Sequence, residues 1–113
     1  MQDRSARMTT RAARSWLSPR LHDVPDSLRA RMRSAISRET HEVESVSGAL
    51  LNAAMSCLDE ALALGNARVA AGQLLAADAL LTAACEAAAE NGDAVAFAER
   101  ACIALAKRLD GAS

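Results

Sequence analysis

LGNARVAAGQLLAADALLTAACEAAAENGDA, residues 64–94, is the stretch whose reading decides the fold. It opens on LGNA and closes on NGDA, with a long apolar run between them. Gly65 and Gly92 suit the left-handed conformation that closes a helix, because they carry no Cβ. Asn66 and Asp93 suit the cap of the helix that follows, because a short side-chain oxygen can accept a free backbone N–H. Two tight helix-to-helix turns are therefore expected, with a helix over about 67–90 between them. Short turns of this kind make neighbouring helices antiparallel.

Composition extends this reading to the whole chain. About a quarter of the 113 residues are Ala, against one Phe, one Trp and no Tyr. Ala is the best helix former and lets helices approach closely. Few β-branched or aromatic residues remain to build strands. The class is all-α, an Ala-rich antiparallel bundle of three to four helices. Ala buries little area per residue, at roughly 25 cal/mol per Å². A core made from it is thin, which favours assembly with a second chain.

Upstream, the apolar positions Leu28, Met32, Ala35, Val43, Val46, Leu50, Ala54, Cys57, Ala61 and Leu64 follow steps of 3 or 4, with Glu39 in the same register. This stripe keeps one helical face. It fits one helix of nearly forty residues, or two over about 26–40 and 42–64 broken near RETHE. Asp23 or Asp26 suits the first cap, and Pro25 a first turn. A last helix is expected over 94–109. If residues 26–64 are continuous, Leu28, Met32 and Ile36 overhang the body and need a partner, which a symmetric dimer supplies most simply.

Charge divides the chain. Residues 1–38 carry nine Arg against Asp3, Asp23 and Asp26, while residues 39–113 carry four basic and eleven acidic groups. The net charge of −1 hides a basic segment on an acidic body. Residues 1–24 read as a mobile Arg-rich arm, and residues 25–113 as the helical domain. In the arm, Arg4, Arg7, Arg11 and Arg14 can pair with phosphates or carboxylates, and Trp16 can stack or insert. The arm can equally pack on the acidic body of its own or another subunit.

Asp78 interrupts the apolar run. With Leu74 at the origin and about 100° per residue, Ala70, Asp78, Leu81 and Cys85 fall within about 40° of it. A carboxylate on that face is expected to be buried and bonded, fixing how the helices dock, since an unpaired buried charge costs several kcal/mol.

Catalytic and metal signatures are sparse. His41 lacks the second His four residues on that a zinc-protease motif requires, and neither His22 nor His41 follows a Glu by three. There is no Gly-rich phosphate loop and no Gly-x-Ser-x-Gly elbow. Cys57, Cys85 and Cys102 form no paired spacing, and on antiparallel helices the three do not converge. Single thiols of this kind suit a reducing cytoplasm. No cofactor or metal is expected, no secretory signal is visible, and no apolar run reaches the roughly 20 residues of a membrane span. Twelve Arg to one Lys beside abundant Ala fits a GC-rich bacterial gene. The expectation is a non-enzymatic interaction or assembly module, a homo-oligomer or a binder of a protein partner. Its contacts would come from residues about 26–40 and the basic arm. The alternative is a nucleic-acid-associated accessory protein tethered by that arm.

Overall fold

The structure, a computed structural model, describes residues 2–38 and 45–112, with side chains over 9–38 and 45–110. Among these residues all regular structure is helical. There are five α-helices where three or four were expected: α1 Gln2–Leu17, α2 Asp26–Ser37, α3 Val46–Ala63, α4 Ala67–Glu90 and α5 Ala94–Ala112. A single 3-10 turn, Ser18–Arg20, follows α1.

The extra helix is α1. The segment read as a mobile arm is helical, and Ala13, Leu17 and Leu21 are buried in the common core. Its few apolar residues were underestimated because they are spaced four apart, enough to seat one face of a helix.

Residues 26–63 are two helices. Arg38 caps the end of α2, and Ser45 is extended (φ −143, ψ 157) and caps α3 by accepting the Gly48 N–H at 3.0 Å. α3 therefore starts four residues later than expected. Residues 39–44, which contain most of the expected break and His41, lie outside the described residues. At α2 the cap position is Pro25, with no side-chain cap, and Asp26 in the first turn pairs with Arg29 instead.

The two decisive turns form, by different means. Gly92 takes φ +70, and the N–H groups of Gly92 and Asp93 return to Ala89 and Ala88 at 3.2 and 2.9 Å. Gly65 does not have positive φ. There the chain leaves α3 through an extended Leu64, and Asn66 caps α4 by accepting the Arg68 and Val69 N–H groups. Asp93 is ion-paired with Arg100 at 3.2 Å.

The antiparallel pair α3–α4 is the centre of the molecule. Leu50, Ala53, Ala54 and Cys57 face Ala76, Leu80, Ala84 and Ala88 across it, all with at most 1% exposure. Such small side chains let the two backbones close in. α2 packs on both members of the pair, α1 on α3, and α5 on both through Phe97 and Ala101. By length and composition alone α4 could cross a membrane, contrary to the expectation that no run is long enough; here one of its faces is core.

Candidate functional site

The residues expected to bind a partner separate into three groups. Met32 and Ile36 are buried (2% and 1% exposed) and Leu28 is partly buried against the same core. The stripe that was expected to await a second chain is covered by the chain's own α3 and α4, because the break after Ser37 lets α2 fold back. The side chains of Arg4 and Arg7 lie outside the described ones. Arg11 is exposed, and Arg14 donates to the Ser37 hydroxyl at 2.8 Å.

Trp16 is half-buried and its indole N–H donates to Glu90 at 2.8 Å. Arg20 stacks on the Trp16 ring at 3.7 Å and pairs with the other Glu90 oxygen at 3.0 Å. One carboxylate at the end of α4 thus clasps the end of α1. The basic segment does meet the acidic body, and it does so within one chain.

Asp78 is exposed, not buried. The buried face of α4 is Gln73, Ala76, Ala77, Leu80, Ala83, Ala84, Ala87 and Ala88. These lie within about 80° of Leu80, and Asp78 points about 160° away. Leu74 is the larger side chain, yet it is exposed, and the fold buries the Ala face around Leu80.

The buried polar residue of α4 is Gln73, which sequence reasoning passed over. Its amide oxygen accepts from Arg31 of α2 at 3.2 Å, and its amide nitrogen donates to Glu60 of α3. Glu60 also receives Arg38 at 2.8 Å. One neutral amide, with a donor and an acceptor end, joins two helices of opposite charge. Gly72 makes room for this. A Cβ there would stand 2.8 Å from the Arg31 guanidinium carbon. The signal was present in the sequence: an isolated Gly inside an Ala-rich helix costs about 1 kcal/mol and usually has a packing reason.

Cys57 lies beneath this network. Burial, and then the Glu60 charge, raise its pKa, while Arg38 and Arg31 pull it down. A thiol held in its protonated form is a poor nucleophile. Among the described residues no group of three or more His, Cys, Asp or Glu is placed to hold a metal.

The remaining feature is apolar. Leu74 and Leu75 on α4, and Val95, Ile103 and Leu109 on α5, are exposed large side chains. Between α4 and α5 runs an open groove of ≈ 370 Å³, lined by Leu81, Cys85, Phe97, Ala98, Ala101 and Cys102 among others. It continues onto a nearly flat patch of Ala94, Val95, Ala98, Glu99 and Cys102. A cleft of ≈ 260 Å³ near Arg20, Thr82 and Glu86 is more polar and smaller than usual ligand sites of about 300–1,000 Å³. No family model, no curated protein and no solved structure matches this chain.

Proposed function

We propose that this protein is a non-enzymatic interaction and assembly module whose contact surface is the apolar face of α4 and α5. The observation that carries this reading is where the large apolar side chains lie. The central hairpin buries its Ala face and leaves Leu74 and Leu75 in water, with Leu62, Leu64 and Val69 exposed about its turn, while α5 leaves Val95, Ile103 and Leu109 in water, the most exposed of all among them. Soluble chains rarely leave such side chains grouped unless they bind something. The partner surface in this reading is no longer the Leu28, Met32 and Ile36 stripe, which the chain covers itself, but the C-terminal half.

The test is comparative capture. Tagged wild-type chain and a Val95→Glu/Leu109→Glu variant are used as bait, with a differently tagged copy of the chain present. Retention of that copy, or of an identified protein, by the wild type and not by the variant supports the reading. Equal retention by both would sink it.

Arg11 and Arg33 keep the nucleic-acid alternative in view. Both are exposed, and neither has a carboxylate partner among the described residues. Against it stand Arg20 and Arg38, which are spent on Glu90 and Glu60. A salt-sensitive gel shift lost on Arg11→Ala/Arg33→Ala would favour this second reading.

A further inference from the structure

We infer that the partner of the α5 surface is a second copy of this chain, bound helix to helix in antiparallel fashion about a two-fold axis beside Cys102. The inference rests on the reading of the α4–α5 face as a contact surface.

α5 has two faces. Phe97 and Ala101 are buried, and Ala104 packs against the same core. A second row, Val95, Ala98, Cys102, Leu105 and Leu109, repeats with steps of 3, 4, 3 and 4. These five lie within an arc of about 80° on the wheel. Val95 is 77% exposed and Leu109 67%, Ala98 and Cys102 are exposed, and Leu105 is partly buried. Steps of 3 and 4 are those of a helix–helix seam, in which each side chain enters a hole on the facing helix. α5 already uses one such face and presents another.

The row matches its own reversal. Val95 and Leu109 are each seven residues from Cys102. Turning one copy end over end about Cys102 sets Val95 against the partner's Leu109 at both ends. It also sets the small Ala98 near the partner's larger Leu105. Large then meets small, which is how facing layers interdigitate.

Charge selects the direction. Glu99 is the one charged residue lining the patch. A parallel pair would set Glu99 beside its own copy. The antiparallel pair separates the two by six positions, about 9 Å along the axis, roughly one screening length in physiological salt. Each then lies level with the partner's Leu105, three positions from the axis. Antiparallel packing also opposes the two helix dipoles favourably. The seam needs no donor or acceptor from the other side, so a foreign chain bringing polar groups gains nothing there. The seam spans about 21 Å, so the dimer is expected to dissociate on dilution.

The experiment uses the purified full chain. Sedimentation in high salt, over about a hundredfold range of concentration, is expected to show a monomer passing to a dimer. Mild oxidation with diamide should link the dimer through Cys102. In that step the two thiols lose two protons and two electrons to the diazene, which becomes the hydrazine. Cys102→Ser should abolish the link and Cys85→Ser should keep it. Val95→Glu/Leu109→Glu should raise the dissociation constant at least tenfold with helix content unchanged. Should that pair unfold the chain, Ala98→Glu, at an exposed site, carries the same expectation. A dimer that survives these changes, or that links through Cys85 alone, overturns the inference and leaves the wider reading standing. A monomer at every concentration overturns the inference too. The wider reading falls only if comparative capture also shows no difference.

Discussion

Gly72→Ala is expected to have opposite effects depending on residue 31. In an ordinary helix the change stabilises by about 1 kcal/mol, because Ala restricts the unfolded chain and Gly does not. Here the new methyl would lie 2.8–3.0 Å from three atoms of the Arg31 guanidinium. Those atoms are the far end of a flexible side chain, so Arg31 swings away and the backbone holds. The cost is its hydrogen bond to Gln73. A hydrogen bond to a charged group contributes about 1.5–3 kcal/mol, and this one belongs at the low end because the pair is only half-buried. Gly72→Ala alone should therefore be neutral, or destabilise by about 0.5 kcal/mol. In an Arg31→Ala background nothing obstructs the methyl, and the same change should stabilise by about 1 kcal/mol. The difference, about 1.5 kcal/mol, is the coupling that a double-mutant cycle isolates. Urea unfolding followed by far-ultraviolet circular dichroism would measure it, or melting, at about 4 °C per kcal/mol for a chain of this size. Equal stabilisation in both backgrounds would show that Arg31 does not rest on Gly72, and the α2–α4 network as described would be wrong.

Leu80→Ala should cost about 3–5 kcal/mol in urea unfolding, near the top of its range, because the neighbouring Ala side chains have no rotamers with which to fill the void. Asp78→Asn should change stability by less than about 0.5 kcal/mol; a loss of several would restore a buried role for that carboxylate. Cys85 and Cys102 should react quickly with a thiol reagent in the native state, and Cys57 only on unfolding. Burial raises the Cys57 pKa, so the folded chain keeps a proton that the unfolded chain gives up; stability from this source is whole below the ordinary value of 9.0 and falls as pH rises above it. Melting at pH 8 and pH 10 should show that loss in the wild type and less of it in Cys57→Ala. Glu90→Ala should change stability by less than about 1 kcal/mol, since the ion pair is exposed, yet shift the emission of Trp16, which loses its indole partner.

The helices of the C-terminal half were legible in the sequence because their ends are chemical: Asn66 caps, and Gly92 turns back. α4 begins and ends where the two glycines and their neighbours placed it. What failed was rotation. On a helix where Ala occupies every side, size is a poor guide to burial, since the pair that approaches most closely hides its smallest residues. Leu74 marked the wrong face for that reason, and Asp78 was carried inward with it. The sequence left one helix or two open before α3, because the apolar rhythm runs past Glu39 and Ser45 without Pro or Gly; the Ser45 cap of α3 decides for two. The folding of α1 was hidden because the five Arg of residues 1–24 outweighed, in composition, the three small contacts made by Ala13, Leu17 and Leu21.

The charge asymmetry and the exposed leucines then have one origin. An Ala–Ala hairpin is narrow and has little apolar area of its own to cover other helices. α1 and α2 are seated on it through Ala13, Leu17, Leu21, Met32, Ala35 and Ile36, and are fastened at the rim by charge and polar contacts: Arg20 with Glu90, Arg38 with Glu60, and Arg31 through Gln73. The basic segment is thereby committed to the acidic body, and its capacity for phosphate falls to residues such as Arg11 and Arg33. Large apolar side chains that the narrow hairpin does not bury stay exposed, Leu74 and Leu75 on α4 and Val95, Ile103 and Leu109 on α5 among them. Binding through these side chains would complete in a second molecule the core that Ala leaves thin in the first.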